Sequence, residues 1–353
     1  MRALLLLALL LAGPAAADHD RLPLAPLPRL PLDPAVTVSG LSSGAFFAHQ
    51  FHVAFSGTVA GAGIVAGGPY ACPEQAPFWL SLNPMRRVVM ALAVCSHKER
   101  AAFGFWTLWL PRAPDPDHSA DAIRDEGRRG AIDDPKNLAG ARVWLFAGGL
   151  DEEVPRATVE AVRATYAQAG VPAGNIALEV EEKANHALPV AGAPLACGVA
   201  EPPFLVDCGF DAAGRLLAHL LPDGFDPAPR APDPTRFRRF DQRPFGAGAG
   251  LDDGGFLYLP QACEQGPCRL HVVFHGCRQS AERLHLTFVT GSGHARFAEA
   301  NRLVLLFPQV ARSADNPLAC WDWWGYTGSD YMRRAGPQMR AVKAMVDALR
   351  APP

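Results

Sequence analysis

The chain alternates short apolar runs with longer segments of helical period, separated by glycine- and proline-rich turns. Apolar runs lie at 35–38 (AVTV), 59–66, 142–147 (RVWLFA) and 176–181, then at 256–259, 270–274 (LHVVF) and 303–307 (LVLLF). Runs of that length, bounded by turn signals, predict strands buried on both faces of a parallel sheet. Between them the spacing of apolar positions predicts helices over 45–55, 156–168, 281–300 and 337–349. Strands alternating with helices predict a three-layer α/β fold with a mostly parallel central sheet. The proline-rich stretch 222–234 is read as a surface connection, because the strands beyond it are too few to form a core of their own. No internal repeat and no Ser/Thr-rich linker to a separate binding module is found.

The first residues break this alternation. One cation, Arg2, precedes a Leu/Ala run, and small residues follow up to Asp18. That order predicts a secretory signal peptide over residues 1–17, followed by one catalytic domain over 18–353. The apolar run is too short to cross a bilayer as a helix, so the mature chain is expected to be exported, extracellular or periplasmic, and free of membrane. Composition is that of a globular protein, with 49% hydrophobic and 19% charged residues and a formal net charge of −2. Near neutrality argues against a nucleic-acid partner, which needs concentrated Lys and Arg. Eight cysteines in an exported chain point to disulfides rather than metal ligands, and no C-x-x-C occurs to suggest zinc. Their order suggests the near-neighbour pairs Cys72 with Cys95, Cys197 with Cys208, Cys263 with Cys268, and Cys277 with Cys320. Other connectivities remain open at this level.

Candidate chemistry begins at the only G-x-S-x-G run, Gly40-Leu41-Ser42-Ser43-Gly44. A short strand before it and a helical pattern after it supply the strand–turn–helix context of a nucleophile elbow, with Ser42 at the apex. Ser39 and Ser43 are rival hydroxyls, but neither has glycine on both sides at two residues' distance. In α/β-hydrolases the acid and then the histidine follow the nucleophile in sequence. Asp151 stands just past the strand RVWLFA, with Glu152 and Glu153 as alternatives. His186 stands in the loop after the strand at 176–181. Of the eleven histidines, His97 and His118 precede the acid, and His49 and His52 fall on the helix after Ser42, where they flank the site.

A tetrahedral intermediate needs two N–H donors. Ser43, after the nucleophile, supplies one. The second normally comes from a loop that precedes the nucleophile, yet nothing before Ser42 offers it. The candidate is Cys277, in the His275-Gly276-Cys277 turn after LHVVF. Read from tail to head, the C-terminal helix, a short proline-rich turn and the nucleophile strand form one continuous hydrolase segment. The chain is therefore expected to be circularly permuted.

The runs GLSSGAFFAHQFHVAFS, LFAGGLDEEVP and ANHALP, with VVFHGCRQS and NPLACWDWWGYTGSDY, resemble the poly(3-hydroxybutyrate) depolymerases in their single-domain, circularly permuted form. The resemblance covers nearly all of the expected mature chain. It implies an α/β-hydrolase fold, a triad of Ser42, Asp151 and His186, and an oxyanion hole from the N–H groups of Ser43 and Cys277. It also supports pairing Cys277 with Cys320, which ties the H-G-C turn to the Trp-rich loop. In that loop Trp324, and secondarily Trp321, is the expected polymer contact. The implied activity is hydrolysis of short-chain 3-hydroxyalkanoate polyester or its oligomers through an acyl-Ser42 intermediate, by a monomer with no metal or cofactor. Two other readings stay in view. One is a secreted carboxylesterase for soluble oligomers or polysaccharide acyl esters, and the other a non-catalytic binding protein on a hydrolase scaffold.

Overall fold

The computed structural model describes residues 22–75, 86–97, 110–264 and 266–350. The expected signal peptide at 1–17 lies outside them. Twelve strands are present among the described residues: β1 (Leu24–Ala25), β2 (Leu32–Leu41), β3 (Val59–Val65), β4 (Arg142–Gly148), β5 (Ile176–Glu181), β6 (Leu188–Pro189), β7 (Leu195–Ala196), β8 (Leu205–Asp207), β9 (Phe237–Asp241), β10 (Gly254–Tyr258), β11 (Cys268–Phe274) and β12 (Leu303–Phe307). The helices are α1 (Ser43–Ala54), α2 (Arg86–Met90), α3 (Pro116–Arg128), α4 (Arg156–Gln168), α5 (Ala212–Leu220), the short α6 (Ala281–Leu284), α7 (Thr287–Gly291) and α8 (Ala295–Ala298), and α9 (Pro337–Arg350).

Nine strands form one sheet in the order β1-β9-β10-β12-β11-β2-β3-β4-β5, and β6, β8 and β7 form a small second sheet. From β12 to β5 every pairing is parallel, while β10 runs antiparallel to both its neighbours. The apolar runs of the sequence are these buried strands, with β10 and β12 buried at every position. Helices cover both faces. On β3, Gly63 lies against Leu216 of α5, whereas Ile64, pointing to the opposite face, crowds Gly67 together with Ala45 of α1. This is the three-layer α/β-hydrolase fold.

The sequence-late strands β9–β12 occupy one half of the sheet and the sequence-early β2–β5 the other. β11 lies beside β2, with Phe274 opposite Gly40. The Leu30 N–H donates to the Leu349 carbonyl at 2.8 Å, joining the segment before β2 to the end of α9. Reading from β9 to the C-terminus and then from the N-terminus restores an order in which the H-G-C strand precedes the nucleophile strand. The fold is circularly permuted.

Two features differ from the pattern. The helix expected over 281–300 is three short helices, because His285 and Gly293 adopt positive φ (50° and 83°) and each breaks the helical run. The strand β9 and the small sheet carry too few apolar residues in sequence to be read there. The stretch 222–234 runs between α5 and β9 and is pinned to the molecule by hydrogen bonds from the Asp226 N–H to Asn301 Oδ1 and from the Arg230 N–H to the Arg296 carbonyl. Cysteines pair as Cys72–Cys95, Cys197–Cys208, Cys263–Cys268 and Cys277–Cys320. Four disulfides fit an oxidising compartment. Among the described residues no helix is long and apolar enough to cross a membrane.

Candidate active site

Parallel neighbours end at one edge of a sheet, and loops leaving that edge build α/β sites. Here the edge carries Ser42 after β2, Asp151 after β4, His186 after β5 and the turn 275–277 after β11. Ser42 holds φ 56° and ψ −125° at the mouth of α1, a conformation that costs on the order of 1–3 kcal/mol for a non-glycine residue. The two motif glycines make that turn possible. A Cβ on Gly40 would stand 2.3 Å from the Gly44 carbonyl, and one on Gly44 would stand 2.4 Å from the Phe274 carbonyl oxygen and 2.5 Å from that of His275. The start of α1 is thus pressed onto the end of β11. Gly44→Ala should destabilise by about 3 kcal/mol, at the upper end for overpacking because the opposing atoms are backbone. Thermal melting checks this, and an unchanged melting temperature would contradict it.

A second glycine pair brings acid and base together. A Cβ on Gly148 would meet the Ala184 carbonyl at 2.5 Å and one on Gly149 would meet Glu182 Cα at 2.6 Å, so the loops after β4 and β5 lie backbone to backbone. Across that contact His186 Nδ1 is 2.8 Å from Asp151 Oδ2, and His186 Nε2 is 2.9 Å from Ser42 Oγ. The Val154 N–H donates to Asp151 Oδ1 at 2.8 Å, and the Asn185 side-chain oxygen accepts the His186 N–H. Asp151 and His186 are both buried. Of the alternative acids, Glu152 is exposed, whereas Glu153 places Oε2 3.5 Å from His186 Nε2. The rival Ser39 is buried and bonded to His271 and His294.

Ser43 is the first residue of α1, where helices leave N–H groups without an intrahelical acceptor. In the turn after β11, the Gly276 N–H donates to Gln279 Oε1 and the Arg278 N–H to the Leu318 carbonyl, which leaves Cys277 between two committed donors. A Cβ on Gly276 would come within 3.4 Å of Ser42 Cβ. His275 fixes this turn. Its Nε2 accepts from the Val310 N–H, which leaves Nδ1–H to donate to the Gly276 carbonyl at 2.8 Å, on the same peptide unit as the Cys277 N–H. Burial holds the imidazole neutral, with a pKa lowered to about 4.

The Cys277–Cys320 bridge joins this turn to the Trp-rich loop. Asp322 organises that loop, accepting from the N–H groups of Gly325, Tyr326 and Thr327 and from the Thr327 hydroxyl. Burial pushes its carboxyl above the usual range. The loop contains the one correction to the expected contacts. Trp321 is 0% exposed and packed against Phe47 and Phe274 at ring separations of 4.6 and 5.0 Å, so it presents no face to a ligand. Trp324 lines the cleft above Ser42, and so does Trp323, stacked on Phe46 at 4.1 Å. Sequence reasoning missed Trp323, Phe46 and Phe204 as cleft residues, and Arg278 beside them. The flank made by Val88, Ala91 and Leu92 was missed too, since it lies on a helical turn with no motif. The cleft has a volume of about 440 Å³, and its exposed lining is mostly apolar. His49 and His52 are buried on α1, with His52 Nδ1 2.9 Å from the Tyr166 hydroxyl.

No family model matches the chain. A poly(3-hydroxybutyrate) depolymerase of Delftia acidovorans is 38% identical over 327 residues, covering 91% of this chain and 61% of that protein. The chain thus spans about three fifths of that relative's length. A polyhydroxybutyrate depolymerase of Talaromyces funiculosus is 27% identical over 338 residues, covering 91% of both. Among solved structures, PHB depolymerase from Penicillium funiculosum superposes with a TM-score of 0.76 at 25% identity, over 92% of this chain and 98% of that one. A PHB depolymerase variant complexed with an R3HB trimer gives 0.77 at the same identity and coverage.

Proposed function

We propose, from its likeness in sequence and fold to poly(3-hydroxybutyrate) depolymerases, that the chain is a serine esterase of short-chain 3-hydroxyalkanoate polyester and its oligomers. The observation that carries the reading is the unbroken hydrogen-bond line Asp151–His186–Ser42 opening into a mostly apolar cleft. Ser42 is the nucleophile, and its hydroxyl proton passes to His186 Nε2 as Oγ adds to the ester carbonyl. Asp151 holds Nδ1–H and with it the tautomer that leaves Nε2 free to accept. The N–H groups of Ser43 and Cys277 receive the oxyanion, and peptide dipoles fixed in advance cost no reorganisation as its charge develops. Protonated His186 then gives its proton to the departing alcohol, and water repeats the sequence to release the acid from Ser42. Trp324 offers an apolar face to the methyl-bearing chain, with the buried Trp323 beside it at the cleft wall.

We further propose that residues 18–353 form one catalytic domain and that export follows loss of residues 1–17, an oxidising destination that the four disulfides favour. The test is clearing of a poly(3-hydroxybutyrate) suspension, run beside release from a soluble short-chain ester and covalent labelling with a fluorophosphonate. Clearing, ester release and labelling, all lost in Ser42→Ala, is the expected result. Ester release without clearing would withdraw the polymer as substrate, and no labelling would withdraw Ser42 as nucleophile.

A further inference from the structure

Beside the base sits a carboxylate that the hydrolytic sequence does not use. Glu153 Oε2 is 3.5 Å from His186 Nε2, the nitrogen that hands its proton to the departing alcohol. Any group that close to Nε2 borders the space into which the leaving half of the substrate must extend. Its other oxygen faces Arg278 Nη2 at 3.7 Å, and the Arg278 guanidinium lies over the Phe204 ring at 5.3 Å. Both side chains line the cleft and remain about one third exposed, 34% for Glu153 and 30% for Arg278. Around them the cleft is mostly apolar, so this pair stands at a border between the reacting centre and water.

We propose that Glu153 is a specificity-determining residue that turns away a free carboxylate end on the leaving-group side, so that esters followed by a further neutral unit are cleaved in preference to the last ester before an acid terminus. The inference rests on the esterase reading above. When a 3-hydroxybutyrate ester is cleaved, the bond between the acyl carbon and the ester oxygen breaks. The Ser42 Oγ–carbonyl bond forms, and the serine proton travels through His186 Nε2 to the leaving oxygen. In an internal unit that oxygen leads to another ester. In the terminal unit it leads, after only two carbon atoms, to a carboxylate. That anion would be brought alongside Glu153 as His186 protonates the leaving oxygen. Two like charges about 5 Å apart in a half-wet site repel by enough to slow the terminal cleavage about tenfold. Arg278 reduces the penalty without cancelling it, because it approaches Glu153 through the oxygen turned away from His186.

The test compares kcat/KM for the linear 3-hydroxybutyrate dimer as free acid and as methyl ester, following only the ester between the two units. The natural enzyme should favour the methyl ester about tenfold at low salt, with the preference shrinking as salt is added. Glu153→Gln should bring the ratio close to one, Glu153→Asp should keep most of it, and Arg278→Gln should raise it. A variant that merely loosens the site would slow both substrates alike and leave the ratio unmoved. A ratio unchanged in Glu153→Gln would overturn the proposal while leaving the esterase reading intact. Failure of the natural enzyme to cleave either dimer would overturn both.

Discussion

Ser42→Ala is expected to reduce ester hydrolysis about 10⁶-fold and Asp151→Asn about 10⁴-fold, in each case with kcat carrying the loss and the melting temperature close to that of the natural protein. The two differ for a physical reason. Without Oγ there is no acyl intermediate, and what survives is the contribution of the oxyanion donors and the apolar cleft to direct attack by water. The amide introduced by Asp151→Asn would retain the shape of the acid and could still meet Nδ1, but it would do so as easily through its NH₂ group as through its carbonyl. His186 would then spend much of its time with the proton on Nε2, where it cannot accept from Ser42. The acid position should also be stiff, because Asp151 Oδ1 is held by the Val154 N–H while Oδ2 holds the base. Single-turnover kinetics on a soluble short-chain ester measure both losses. A tenfold effect or less for Asp151→Asn would mean that the Nδ1–H tautomer of His186 does not depend on the Asp151 carboxylate.

Much of this site could be read from sequence because its parts lie at element ends, where backbone requirements restrict residue choice. Ser42 is bracketed by glycines since a Cβ at either position would strike main-chain atoms, and such a constraint leaves a readable motif. Asp151 and His186 each follow an apolar strand, so strand periodicity located them. The permutation was legible because no strand and turn before Ser42 could supply a second donor, while the H-G-C turn stands after the late strand β11. What could not be read depends on three-dimensional meetings without local pattern. Trp321 and Trp324 are equivalent in composition, yet one packs against Phe47 and the other faces the cleft, a choice set by the path that Asp322 imposes on the loop. Glu153 was legible as an alternative acid but not as a neighbour of Nε2, which requires the loops after β4 and β5 to be superposed. The helix expected over 281–300 failed because apolar spacing ignores the backbone: positive φ at His285 and Gly293 breaks a run whose side chains still suit one face.

The melting temperature is expected to be level above about pH 7 and to fall steeply between about pH 6.5 and 4. Among the described residues five histidines besides His186 are buried: His49, His52, His271, His275 and His294. Burial, which penalises the charged ring, lowers each of them, His49 and His275 to about 4, His52 and His294 to about 3, and His271 well below its ordinary value. A neighbouring ring adds to the effect in two cases, His49 acting on His52 and His294 on His271. The unfolded chain takes up these protons near pH 6.5, whereas the folded chain does so only several units lower. The contribution of neutral burial is therefore complete above the unfolded pKa and is lost as pH falls toward the folded one. At pH 5 the loss is on the order of 2 kcal/mol for each such group, and a few of them together rival the ~5–15 kcal/mol that holds an ordinary domain folded. Asp252 and Asp322, whose carboxyls burial raises, act in the opposite sense, but they are two against five. The network makes the effect specific. His271 lies between the hydroxyls of Thr37 and Ser39 on the nucleophile strand, and Ser39 also meets His294. A proton there would disrupt the β2–β11 pairing that sets Ser42 against the Cys277 turn. His294→Gln, polar but without a titrating ring, should flatten the decline by about one proton's worth of slope. A melting temperature that holds level from pH 7 to 5 would show that these rings are not neutral by burial.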